Sequence, residues 1–360
     1  MSIFSFFLKK FISGLLVVFG VSALVFFLFN VLPGDPARMM LGQRADVQSV
    51  QSINRELGLD QPPLKRFALY INDLSPVCLL SQNPQSSIFA DELKYGNTTQ
   101  LVSFGERSIF IKTPYLRRSY QSNRLVGEIL IDSLKGTFIL SIAALLLASL
   151  IGIPLGVISA VRKNGLVDHA IGMLAAFGMA LPSFFAAVII AWLFGFVLSD
   201  YTGLEMTGSL YRVDPFIGPV MEWKNLILPA ITLGIRPLSV IIQLTRSSML
   251  EVLSLDFVRT AKAKGLGSRV VLYRHALRNA LNPVLTAVSG WFGSLLAGAV
   301  FIEYVFNWKG IGKITVDSLE SYDLPVVMGA VLMVSCFFIL INIAVDLLYG
   351  VLDPRVRRST

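Results

Sequence analysis

Six runs of about twenty apolar residues leave few folds open to this chain. They are Phe11 to Leu32, Thr137 to Val161, Ala170 to Leu198, Leu226 to Thr245, Pro283 to Ile302 and Val326 to Val345, and five of the six contain no charged residue. At the helical rise, about 20 such residues cross the ~30 Å hydrocarbon core of a bilayer. With 54% hydrophobic and 15% charged residues and a mean hydropathy of +0.68, the sequence is too apolar for a soluble domain of 360 residues. The fold class expected is an all-α polytopic membrane protein with six transmembrane helices.

Orientation follows from Lys and Arg near the ends of these runs. With the N-terminus inside, the cytoplasmic side holds Lys9, Lys10, Arg162, Lys163, Arg246, the six basic residues between Glu251 and Pro283, Arg355, Arg357 and Arg358, fourteen in all. The two short outer loops hold four: Arg212, Lys224, Lys309 and Lys313. Both termini are therefore expected in the cytoplasm. The first run, at 22 apolar residues, exceeds the apolar stretch of a signal peptide and no small-residue cleavage site follows Asn30, so it reads as a retained helix. Much of the net charge of +8 is this inside bias, which removes the argument for nucleic acid. Cys78 and Cys336 fall in regions separated by the membrane boundary, so no disulfide framework is implied.

Only Pro33 to Gly136 has room for an extramembrane domain. The expected division is 1–32 as first helix, 33–136 as an extracytoplasmic insertion, 137–350 as a five-helix core and 351–360 as a basic cytoplasmic tail. Within the insertion, Val47, Val50, Ile53 and Leu57 recur at helical spacing over Asp46 to Leu59. SQNPQSS (Ser81 to Ser87) reads as a turn, and Ser108 to Thr113 alternates as a strand does.

Between the fourth and fifth runs lies a basic connector, 251–282. Arg259, Lys262, Lys264, Arg269, Arg274 and Arg278 against Glu251 and Asp256 forbid its burial in lipid. Val258 to Lys264 suits a helix, Gly265 can take the left-handed conformation that ends one, and Ser268 can cap a second helix running to Asn282. Pro283 then suits the first turn of the next element. Small Ala261 and Ala263 would let the first helix approach another protein, with its basic residues at the rim. An amphipathic helix resting on anionic headgroups is the alternative.

DFVRTAKAKGL followed by RHALRNALNPVLT resembles the cytoplasmic "EAA" loop of ATP-binding-cassette (ABC) importer permeases, in the variant of the dipeptide, oligopeptide and nickel family. The resemblance extends through LPGDP (Leu32 to Pro36), LGLDQP (Leu57 to Pro62), MALPSF (Met179 to Phe184), TRSSMLEVL (Thr245 to Leu253), VFNWKGIGK (Val305 to Lys313), DLPVVMG (Asp323 to Gly329) and VDLLYGVLDPRVR (Val345 to Arg357). Against the general EAA pattern, Arg259, His275 and Arg278 stand for Glu, Ile and Pro, as fits the peptide subfamily. The match fails over Asn72 to Lys112. The resemblance implies the importer-permease (MetI-like) fold in a bacterial inner membrane. It implies a homologous second permease, two cytoplasmic ATPases that use ATP and Mg, and an extracytoplasmic binding protein as partners, with no cofactor or metal on this chain and no catalysis by it. It also implies ATPase coupling through Asp256, Phe257, Arg259, Thr260, Ala261, Lys262, Ala263, Lys264 and Gly265. Small peptides are the implied substrate; nickel complexes, glutathione and glycosides stay open.

Pro182, Pro229 and Pro237 interrupt apolar runs as they do where helices surround a path. Arg236 lies about ten residues into the fourth run, costly there unless it meets water or a partner. It is a candidate for the translocation path, with a structural ion pair in a wet pocket as the equal alternative. Ser289, Trp291 and Asn342 are the other path candidates; Asp346, four residues after Asn342, reads as solvated at the inner interface. Gly290, Gly293, Ala297 and Gly298 offer small packing surfaces. GIGKIT (Gly310 to Thr315) fails as a phosphate loop because Ile314, not Ser or Thr, follows Lys313. His169 and His275 have no ligands at metal spacing and no nucleophile-base pair is evident. A secondary carrier would call for paired repeats or several intramembrane charges, and an intramembrane enzyme for paired catalytic residues; the sequence offers neither.

Overall fold

The structure, a computed structural model, describes residues 3–31, 61–83, 86 and 88–352. In chain order its elements are α1 (Ile3–Val31), α2 (Pro63–Leu74), β1 (Val77–Ser81), β2 (Thr99–Phe104), β3 (Arg107–Ile111), α3 (Val126–Val161), α4 (Leu166–Ala180), α5 (Ser183–Trp192), β4 (Tyr211–Asp214), β5 (Gly218–Met221), α6 (Lys224–Leu253), α7 (Asp256–Ala263), α8 (Arg278–Gly298), α9 (Val300–Val305), α10 (Ile311–Glu320) and α11 (Leu324–Leu352). Stretches of π-helix follow α5 at Leu193–Val197 and precede α8 at Val271–Leu277.

Among the described residues, four helices are long and apolar enough to cross a membrane: Lys9–Phe29 in α1, α3, α6, and Leu324–Val345 in α11. The α4 and α5 pair makes a fifth only if counted as one span, and it is bent by 106°. By length and composition alone, four or five of the six expected spans pass among the described residues. In the third run the chain turns extended at Leu181 (ψ 125) and Pro182 (ψ 130), because the proline ring disfavours helical backbone in the residue before it. This break is what MALPSF encodes. The fifth run becomes α8, whose Arg278, Asn279, Asn282, Thr286 and Ser289 dilute its hydropathy. Pro283 lies inside α8 rather than in a first turn.

The chain forms two compact units, 1–132 with 314–336, and 133–313 with 337–360. In the first, β1, β3 and β2 form an antiparallel sheet in that order, so this segment is not all-α. Gly105, at φ +63, allows the two-residue turn between Phe104 and Arg107. One face of the sheet buries Cys78, Leu80 and Phe110 with Tyr95. Beneath it, Tyr95 Oη and Lys94 Nζ donate to Asp73 Oδ1 at 2.7 and 3.0 Å, and Lys112 Nζ donates to the Asp73 carbonyl. Burial pushes the Cys78 thiol and the Tyr95 phenol up and the Lys112 ammonium down, so Cys78 is held as an unreactive thiol. The expected strand at 108–113 is β3; the expected helix at Asp46 to Leu59 lies outside the described residues. On α1, Phe26 stacks with Phe67 and Tyr70 of α2 at 5.2 and 5.4 Å.

In the second unit α3 and α6 approach backbone to backbone. A Cβ on Gly152 would lie 2.9 Å from Ile241 Cγ2, and one on Gly156 would lie 2.5 Å from Thr245 Cβ. Gly152 and Gly156 are the small-xxx-small pair that this packing needs. Gly290, expected to pack closely, has open space around it, and Gly293 makes ordinary contact with Ile341.

Candidate functional site

The basic connector folds as a helix, a turn and a second helical run. α7 ends at Ala263, and Gly265 carries φ +77, the conformation in which a Cβ is costly. Ser268 does not cap the next element; Gly267 precedes its first turn and no side-chain cap forms. The second run passes through the π-helical Val271–Leu277 straight into α8, so it does not stop at Asn282.

α7 is strongly two-sided. Val258 and Ala261 sink into a cluster with Val157 and Ala160 of α3, Met249 and Val252 of α6, and Val271 and Ala276. Burying a side chain the size of valine contributes about 1.5–3 kcal/mol towards seating this short helix. Asp256, Phe257, Arg259, Thr260, Lys262, Ala263, Lys264 and Gly265 are exposed. Ala261 therefore serves packing against its own bundle, whereas Ala263 lies on the open side. The pair Arg259 Nη1 to Asp256 Oδ1, at 3.5 Å between well-exposed side chains, contributes little.

Close by, three helix ends meet at one carboxylate. Asp168, in the first turn of α4, is 5% exposed and accepts Arg246 Nε at 2.6 Å and Nη2 at 2.7 Å. It also accepts the Ser159 hydroxyl from α3 and the Asn164 N–H at 2.8 Å. Asn164 takes φ +61 in the turn between α3 and α4. The guanidinium fork suits a carboxylate in both spacing and plane.

A second buried carboxylate gathers the VFNWKGIGK segment. Glu303 of α9 is 0% exposed; its Oε1 accepts Thr137 Oγ1 at 2.6 Å and its Oε2 the Lys313 N–H at 3.1 Å, with the Gly312 N–H also directed to it. Thr137 Oγ1 in turn accepts the Ile311 N–H at 2.8 Å. A Cβ on Gly310 would stand 2.3 Å from the carboxylate, and one on Gly136 would stand 1.9 Å from the Lys309 carbonyl oxygen. The GIGK glycines therefore make room for a carboxylate of the same chain, which explains their likeness to a phosphate loop: both bring backbone N–H groups to an anion. In the first unit Asp323 likewise accepts the Tyr120 N–H at 3.0 Å and the Ser119 hydroxyl, binding DLPVVMG to the 119–122 turn.

Sequence reasoning missed Asp168, Arg246 and Glu303 as a set. The available signal was a lone acid at the end of an apolar run. Of the path candidates, Arg236 is exposed on α6 and has no hydrogen-bond or ion-pair partner among the described residues. Trp291 packs beside the cluster of Leu140, Ala299 and Trp308. Ser289 donates to the Leu285 carbonyl at 2.9 Å and Asn342 to that of Phe338, also at 2.9 Å, each inside its own helix. The described side chains do not include Asp346. No group of three or more metal-ligating side chains occurs among the described residues.

This arrangement of bent and close-packed apolar helices with an amphipathic helix between two of them is the fold of an importer permease. It matches a chain of a methionine ABC transporter in an inward-facing crystal structure, with TM-score 0.51 and 16% identity, over 62% of this chain and 96% of that one. Residues 152–358 match the family described as binding-protein-dependent transport system inner membrane component, and residues 3–80 match its N-terminal region. The dipeptide transport system permease protein DppB of Alkalihalophilus pseudofirmus is 34% identical over 95% of this chain and 96% of its own length. The di/tripeptide permease DppB of Pseudomonas aeruginosa is 36% identical over 96% and 97%, and the glutathione permease GsiC of Escherichia coli 33% over 97% and 98%. The chain belongs to the inner-membrane permease family of binding-protein-dependent transport systems.

Proposed function

We propose that this chain is one of two pore-forming subunits of an ATP-driven importer of small peptides in the cytoplasmic membrane. The observation that carries the reading is α7, an eight-residue helix whose apolar side is sunk among the ends of α3 and α6 while its charged side stands open. Such a helix can receive a push from outside and pass it to two long apolar helices. Partner ATPases hydrolyse ATP, a homologous permease completes the path, and a binding protein delivers substrate from the other side. The relatives named for dipeptides, di/tripeptides and glutathione support a substrate with a peptide backbone and free charged ends. Arg236, exposed within an apolar helix with no partner among the described residues, supports a water-lined face there, suited to a peptide carboxylate.

In the full reading six segments span the membrane, with α4 and α5 as one broken span and α8 as a polar-lined one. Both termini lie in the cytoplasm, and the insertion between α1 and α3 lies outside. The charge asymmetry supports this topology. Reconstitution with the second permease, both ATPases and the binding protein should give ATP-dependent peptide uptake. The chain alone should give none, and uptake by it alone on an ion gradient would reverse the reading. In sealed cells a cysteine at Ser86 should react with an impermeant thiol reagent and one at Ser268 should not.

A further inference from the structure

We propose that the Asp168 to Arg246 ion pair is a positioning element of transport, the clasp that makes the inner ends of α3, α4 and α6 answer as one body to a push on α7. The inference rests on α7 being the contact with an ATPase. A displacement of α7 reaches the bundle through Val258 and Ala261, which bear on two different helices: Val157 and Ala160 of α3, and Met249 and Val252 of α6. If those helices could slide past each other, the push would be spent on shearing this cluster.

The clasp sits at that level. Ser159, which donates to Asp168, lies between Val157 and Ala160, and Arg246 precedes Met249 by three residues, one turn of α6. The close approach of Gly156 to Thr245 brings the two backbones together beside it. The Asn164 N–H adds the connecting turn, so one carboxylate holds α3, the turn, α4 and α6. A single hydrogen bond would fix a distance. The two-point guanidinium contact also fixes the plane of the guanidinium against the carboxylate, which restrains the turn of α6 that carries Arg246 against a push on a neighbouring helix. The Arg246 side chain is 34% exposed while that of Asp168 is 5% exposed, so the cation reaches water while the anion stays inside the joint.

The test uses the complete transporter in liposomes and compares Arg246→Lys, which keeps the charge and loses the fork, with Asp168→Asn and with wild type. The readouts are peptide taken up per ATP hydrolysed, stimulation of ATPase activity by loaded binding protein, and copurification of the ATPase. The expected result is normal assembly and basal hydrolysis with uptake per ATP lowered about tenfold, the scale of an ordinary coupling free energy. Unchanged uptake per ATP in both variants overturns the proposal. So does a loss of assembled transporter with normal uptake per ATP in what remains, since that is the mark of a staple for folding alone. Failure of the wild-type complex to couple ATP to uptake would instead bring down the proposed function, and this inference with it.

Discussion

The carboxylates of Asp168 and Glu303 are both buried and both tie α3 to distant sequence, yet they are neutralised differently. They engage α3 at Ser159 and Thr137, 22 residues and therefore about 33 Å apart along the helix. Glu303 is met by a hydroxyl and backbone N–H groups, with glycines leaving room beside it. Asp168 is met by a guanidinium that reaches solvent. The first is a closed joint, which holds one arrangement because its donors have nowhere else to go. The second holds its helices through a cation that also reaches water, which suits the end of the bundle at which we propose that motion enters.

That contrast can be broken at the Glu303 joint with the largest expected effect. Glu303→Ala would leave the Thr137 hydroxyl and two backbone N–H groups without their acceptor, at a cost of about 1–3 kcal/mol for each group left unsatisfied. Thermal unfolding of the solubilised protein should fall by several degrees, and Gly310→Ala should reproduce much of the fall because its Cβ meets the carboxylate. A Glu303→Ala protein as stable as wild type would show that the joint is not closed. Asp168→Asn should lower the unfolding temperature less, since Arg246 can turn to water. A larger fall than for Glu303→Ala would invert the comparison.

Gly265→Val sharpens it from outside the joints. The position has open space for a side chain but φ +77, so the cost is the roughly 1 kcal/mol of left-handed backbone and falls on the turn after α7. The unfolding temperature should barely move while ATPase copurification and substrate-stimulated hydrolysis drop. Retention of both would demote α7 to an ordinary membrane-surface helix. Arg259→Ala should have the smallest effect, a mild loss of ATPase association that shrinks as salt is raised, because an exposed rim charge contributes little once screened. An effect larger than that of Gly265→Val would mean that charge rather than shape governs docking.

Much of this was legible in the chain. The apolar runs, the helix break at Leu181 and Pro182 in the third, and the stop at Gly265 depend on composition and on backbone preferences of one or two residues, which act wherever those residues stand. The second half of the basic connector was not: Pro283, a good helix opener by itself, lies inside α8 because the helical run has already begun before it. Ala261 and Ala263 are identical by residue type. Only the direction of the α7 axis against α3 and α6 sends one into the cluster and leaves the other exposed.

By itself the sequence determined that this protein lives in a membrane and where the connector's first helix ends. Hydropathy, charge and glycine conformation are properties of short stretches, and the bilayer reads them one stretch at a time. The tertiary structure alone decided what holds the bundle together. Thr137 meets Glu303 across 166 residues of sequence and Arg246 meets Asp168 across 78, and no local preference announces either pairing. A carboxylate is removed from water only where folding has already brought enough donors around it, so the partners of Glu303 and Asp168 exist as a site only after the helices have packed.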